Sequence, residues 1–291
     1  MTSTPPRPDV VGYFDPATNT VSYIVSDPAT GAAAIIDPVL DFTANNARTS
    51  TASADRLLAA VRDKGLNLVA LLETHAHADH LSAAHYLHDV TGAPIIIGTH
   101  IRDVQAVFVP MFGATDVRRD GGDFHRLLAD GETMALGELT LTAMHTPGHT
   151  PACMTYVVGD AAFVGDTMFM PDYGTARCDF PGGDAATLYR SIQRILELPD
   201  DTRIFVGHDY LPAGRTEYRW ETSVSQQRAA NIHVHNGIGE ADFVAMRTAR
   251  DATLAAPQLI LPSLQVNIRA GAMPPPDANG QRYLRLPLNR I

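Results

Sequence analysis

The stretch that most restricts the fold is NLVALLETHAHADH, Asn67 to His80, where a mostly apolar run ends abruptly in three histidines and an aspartate. Such a run reads as a buried strand. His75 then stands at the strand's C-terminal edge, with His77, Asp79 and His80 on the loop beyond it. HLSAAHYLHDVTG follows as a helix closed by Gly92, and APIIIG as another buried strand. A strand, a donor-rich loop, a helix and a further strand call for a layered α/β domain, in which ligands gather beyond strand ends. Imidazole and carboxylate at this spacing suit a first-row divalent metal, because a loop can fold several donors around one ion.

The flanking segments fit that architecture. TNTVSYIVSDPATGAAAIIDPV reads as two strands joined by a turn at DPATG and stopped at Asp37-Pro38. SADRLLAAVRDKG has helical spacing and a stop at Gly65. From GETMALGELTLTAMHTPGHT to ACMTYVVGDAAFVGDTMF the period falls to two, as in an antiparallel meander. DAATLYRSIQRILELP is an amphipathic helix with Asp184 as its N-cap, and TRIFVGHDY a short strand ending in histidine. Beyond Gly214 the chain turns polar, with helices expected over TEYRWETSVSQQRAANIHVH and EADFVAMRTARDATL and a Pro-rich tail after them. Residues 1–214 are therefore expected to form the main, catalytic domain, and 215–291 an extension packed on it.

Three more donors fall at strand ends. They are His149 in HTPGHTPA, Asp166 in AFVGDTMF and His208 in IFVGHDY. Each alone is an ordinary turn residue; together with the first loop they form a set. HxHxDH, a later PGHT histidine, a GD aspartate and a final GH, in this order, resemble the metallo-β-lactamase superfamily. The resemblance runs from about Val10 to Tyr210 and implies a four-layer αβ/βα sandwich, here with a C-terminal helical extension.

AIIDPVLDF, ETHAHADHLSAA, FVGDTMFM, YGTARCDFPGGDAATLYRSI and LPDDTRIFVGHDY further resemble the persulfide dioxygenase branch, and the long tail its bacterial sulfide-responsive members. That resemblance implies one Fe(II) per chain, held by His75, His149 and Asp166, a two-His-one-carboxylate arrangement with open positions for O₂ chemistry. His77, Asp79, His80 and His208 become groups around that iron or a vacant second site. The implied reaction takes glutathione persulfide, O₂ and water to sulfite and glutathione, in sulfide detoxification. Arg177 matches a family arginine at the site entrance, able to pair with a substrate carboxylate or to steady its loop through Asp179. Tyr210 matches a tyrosine that donates a hydrogen bond near the metal. Thr175 departs from the animal branch, which has Cys there, so a mechanism needing that thiol does not carry over. Since every donor for two ions is present, a dinuclear zinc hydrolase of the glyoxalase II type stays open as the alternative.

Other features carry less. His233 and His235 sit two apart on an expected helix, a poor chelate, while His85 and His88 read as surface or capping groups. Cys178 reads as inert, and the glycine pairs at Gly121 and Gly182 as turns. A formal net charge of −10 argues against nucleic acid or an anionic membrane as partner. Two cysteines, Cys153 and Cys178, cannot build a disulfide framework. MTSTPPRPDV lacks the pattern of a leader, and no apolar run reaches the ~20 residues that span a bilayer. The expectation is a cytoplasmic enzyme acting on a small molecule, and a homodimer, as related enzymes often form.

Overall fold

The computed structural model describes residues 7–290; residues 1–6, where no leader is expected, lie outside the described residues. The chain opens with β1 (Asp9–Asp15), β2 (Thr20–Ser26) and β3 (Ala32–Ile36), the last two joined through the DPATG turn. β4 (Val39–Thr43) and β5 (Arg48–Ser50) form a short flap before α1 (Ala52–Asp63). Then come β6 (Asn67–Leu72), β7 (Leu81–Ser82), α2 (Ala84–Thr91), β8 (Ile95–Gly98), α3 (Ile101–Phe112) and β9 (Arg126–Leu128).

The second half runs through β10 (Thr133–Leu136), β11 (Leu139–His145), β12 (Met154–Val158), β13 (Ala161–Phe163), α4 (Ala185–Leu196) and β14 (Arg203–Phe205). β15 (Glu221–Ser223), α5 (Val224–Ala230), α6 (Glu240–Asp251) and α7 (Ile260–Asn267) close it. The strands form two six-stranded sheets, in the orders β1-β2-β3-β6-β8-β9 and β10-β11-β12-β13-β14-β15, and a three-stranded one, β5-β4-β7.

Strand alternation splits the apolar residues into three cores. Val21, Tyr23, Val25, Ala34, Ile36 and Leu72 meet Leu141, Tyr156, Phe163 and Phe205 between the two sheets. Their neighbours Ile24, Ile35, Leu71 and Ile97 face the other way, onto Leu57 of α1, Leu87 of α2, Phe108 of α3 and Leu264 of α7. Ala162, Ile204 and Val206 back onto Leu188, Ile192 and Ile195 of α4 and Phe243 of α6. The result is the expected αβ/βα sandwich, with both helical layers outside and both sheets within.

Asp184 caps α4 as its sequence predicts, accepting the Thr187 amide at 2.7 Å, an arrangement worth about 1 kcal/mol. Two expectations need correction. The helix after the donor loop starts only at Ala84, because Leu81 and Ser82 pair with Val39 and Leu40. The long helix expected across TEYRW to HVH is instead β15 followed by the short α5, since Glu221–Ser223 complete the second sheet against β14. His233 and His235 therefore lie past the helix, in turns. No described helix is long and apolar enough to cross a membrane.

Candidate metal centre

Each donor reaches the site from a strand end. His75 follows β6, His149 the turn after β11, Asp166 the turn after β13, and His208 the turn after β14. Two glycines permit the close approach. Gly148 has φ +135° and a Cβ there would sit 2.3 Å from the Leu188 backbone; a Cβ on Gly207 would lie 2.8 Å from Asp166 Oδ1.

The hydrogen bonds of the imidazoles decide which nitrogen is presented. The His149 Nδ1–H donates to the Arg177 carbonyl at 2.7 Å, the His80 Nδ1–H to the Leu81 carbonyl at 3.2 Å, and the His208 Nδ1–H to the Asn19 carbonyl at 3.2 Å. A carbonyl can only accept, so these nitrogens carry the proton and each Nε2 keeps its lone pair. Thr74 gives its hydroxyl proton to Asp37 Oδ2 at 2.8 Å and lies 3.0 Å from His75 Nδ1, which puts His75 in the same tautomer. His77 is reversed. Its Nε2 faces Asp37 Oδ1 at 3.1 Å and Glu73 Oε2 at 3.2 Å, leaving Nδ1 toward the donor loop.

The presented atoms converge. Donor atoms of His75, His149 and Asp166 all lie within 4.8 Å of one another, as do those of His77, Asp79 and His80. Asp166 divides its oxygens: Oδ2 is 3.6 Å from His149 Nε2 and 3.9 Å from His75 Nε2, while Oδ1 is 3.3 Å from His208 Nε2. His75 Nε2, His77 Nδ1, His80 Nε2, His208 Nε2, Asp79 Oδ2 and Asp166 Oδ1 are all buried with no hydrogen-bond partner. Buried polar atoms are normally paired, and one unpaired group costs about 1–3 kcal/mol. So many converging lone pairs, with no hydrogen between them, fit a metal ion.

Charge divides the imidazoles into two kinds. Burial, then the neighbouring imidazoles, push His75 well below the usual histidine range. Burial and the charge of His77 bring His80 down to about 3. For His77 burial also opposes charge, but Asp37 and Glu73 outweigh it and raise the group well above its ordinary value. His208 is raised too, where burial is outweighed by Asp166 and Asp79. Asp37, clamping His77, has φ +49°, the left-handed region that few side chains other than Asn and Asp enter readily.

A pocket opens on Asp79, His149 and Asp166, with Phe169, Tyr173 and Tyr210 on one wall. Tyr210 stacks on His208 at 5.6 Å and on Tyr173 at 4.8 Å. Burial and then Asp166 and Asp79 raise its pKa well above 10, so the hydroxyl keeps its proton. Arg177 lines the pocket, yet its guanidinium is committed to both oxygens of Asp179 and to the Ala255 carbonyl. The nearby Arg250 is exposed, with no ion-pair partner among the described residues.

All seven expected donors thus meet at one place, with Tyr210 and Arg177 beside them. Sequence reasoning missed the groups behind them. Asp37 and Glu73 hold His77, and the discounted His233 is buried with its Nδ1 accepting the Thr175 amide at 3.0 Å. Asn267 of α7 donates to the carbonyls of both His77 and His80 at 2.8 Å and accepts the Ser82 amide. The only sequence signal for Asp37 and Glu73 was their place directly after the apolar strands β3 and β6.

Comparison with known proteins agrees with this geometry. Residues 15–208 match the family model described as the Metallo-beta-lactamase superfamily. The chain is 56% identical to a probable metallo-hydrolase of Burkholderia pseudomallei, over 97% of this chain and 99% of that protein. It is 47% identical to glyoxylase B2 of Dictyostelium discoideum over 92% of each. With the mitochondrial persulfide dioxygenase ETHE1 of Homo sapiens it shares 31% identity over 90% of this chain and 88% of that one. Some relatives are longer, this chain spanning 65% of their length. The crystal structure of ETHE1 from Myxococcus xanthus superposes with a TM-score of 0.72 at 28% identity, covering 91% of this chain and all of that one. The chain belongs to the metallo-beta-lactamase superfamily.

Proposed function

We propose that this protein is an iron-dependent persulfide dioxygenase, converting glutathione persulfide, O₂ and water to glutathione and sulfite. One observation carries the reading. His75 Nε2, His149 Nε2 and Asp166 Oδ2 form a two-His-one-carboxylate group that faces an open, largely apolar pocket. Full-length similarity to a persulfide dioxygenase supports it. Bound there, Fe(II) supplies the electron-transfer path that triplet O₂ otherwise lacks.

The protein's own groups do the rest. Phe169, Leu254 and Pro257 exclude water from the sulfur end of the substrate. Arg250 offers an unpaired cation to a glutathione carboxylate, while Arg177 steadies the entrance through Asp179. Tyr210, protonated, donates a hydrogen bond to a group bound between Asp166 and the pocket.

A second reading has its own observation. Asp166 turns its second oxygen to His208, and Asp79, His80 and His208 present further unpartnered donor atoms. Two zinc ions there would make a glyoxalase II-like thioester hydrolase, the activity class that the name of the Dictyostelium relative suggests. Metal analysis after purification separates the two: one iron per chain and no hydrolysis of S-lactoylglutathione supports the dioxygenase. Two zincs with rapid hydrolysis supports the hydrolase instead.

A further inference from the structure

The carbonyl that fixes the His149 tautomer belongs to residues 175–179, a loop without regular secondary structure. Loop backbone holds a ligand steady only when something holds the loop. Here the support comes from α6, more than 70 residues further along. Arg247 and Asp251, one turn apart on α6, form an ion pair in which both groups are buried, at 1% and 6% exposure. Each also reaches the loop. Arg247 Nη1 donates to the Thr175 carbonyl at 3.1 Å, and Asp251 Oδ2 accepts the Cys178 amide at 2.8 Å. The pair grips the backbone on both sides of Arg177, whose carbonyl receives the His149 proton. A buried ion pair is a poor device for stabilising a helix, because desolvation cancels most of its attraction. It serves well for holding two backbone groups at a fixed separation.

We infer that Arg247 and Asp251 are positioning residues for His149, setting the direction of its Nε2 toward Asp166. This rests on the reading of His149 as a metal donor. No other group on α6 substitutes for the pair, since Arg250 points into the pocket and Glu240 bonds Arg190 at the far end of the helix.

The test uses the full chain, stripped of metal and titrated with Co²⁺ against a competing chelator, with visible absorption recording the coordination geometry. Arg247→Lys keeps a cation beside Asp251 but loses the Nη1 donor to the Thr175 carbonyl; Asp251→Asn removes the charge with little change of shape. Each is expected to weaken Co²⁺ binding about tenfold or more and to alter the absorption bands. In a His149→Ala background neither is expected to weaken it further, because both act through that ligand. If Asp251→Asn does not fold, as judged by circular dichroism, Arg247→Lys carries the test. Unchanged affinity and bands in the folded variants, or full losses on top of His149→Ala, would overturn the inference. If His149→Ala alone leaves Co²⁺ binding at the wild-type level, the metal-donor reading fails and the inference falls with it.

Discussion

His208 Nε2 lies 3.3 Å from Asp166 Oδ1, the oxygen that Asp166 does not turn toward His75 and His149. The two residues leave adjacent parallel strands, β13 and β14, whose pairing of Phe163 with Phe205 fixes their separation. One carboxylate thereby serves two roles. Oδ2 faces the candidate iron group, and Oδ1 faces the unpartnered Nε2 of His208.

That division predicts unequal mutants. Asp166→Ala and His149→Ala are each expected to cost most of the bound iron, whereas His208→Ala leaves most of it in place. Elemental analysis of the purified proteins checks it, and equal loss in all three would make His208 a ligand.

Gly207→Ala tests the same carboxylate by steric means. The added methyl would lie 2.8 Å from Asp166 Oδ1 and 3.1 Å from the Gly165 carbonyl oxygen. Since both neighbours are constrained, the carboxylate must rotate. Metal affinity is expected to fall at least tenfold, as read by chelator competition, with the circular dichroism spectrum unchanged.

Asn267→Ala leaves the His77 and His80 carbonyls and the Ser82 amide without their partner in a buried loop. At about 1–3 kcal/mol for each group so stranded, partly relieved by relaxation, a loss of about 3 kcal/mol is expected. Urea denaturation of the metal-free protein measures it. A loss below about 1 kcal/mol would mean that the donor loop holds its own shape.

His233 gives the pH dependence. Burial, then the positive charges of Arg247 and Arg250, lower its pKa to about 4, and it is neutral in the native state. The unfolded chain protonates the same group near 6.5, so its contribution is complete above that value and is lost as pH falls toward 4. Between pH 7 and pH 5 about 2 kcal/mol of stability should disappear through this group, at 1.36 kcal/mol per pKa unit. His233→Gln should flatten that part of the profile in urea midpoints taken across the range.

The donors were legible in the sequence because each stands where an apolar strand stops, a position that marks His75, His149, Asp166 and His208 without reference to anything distant. The groups that hold them were not. Asn267, Arg247, Asp251 and His233 look like the polar faces of exposed helices, and each acquires its meaning from a partner 58 to 190 residues away. The expected long helix before residue 235 failed for a similar reason. Glu221–Ser223 have no strand pattern of their own and pair only because β14 offers an open edge.

Oxygen chemistry on a persulfide is proposed for the open pocket before His75, His149 and Asp166. Oxygen uptake by the iron-loaded protein, supplied with glutathione persulfide in a closed electrode cell, tests it most directly. Rapid uptake of one O₂ per sulfite formed is expected, and none in Asp166→Ala. Absence of uptake from protein carrying one iron per chain would contradict it.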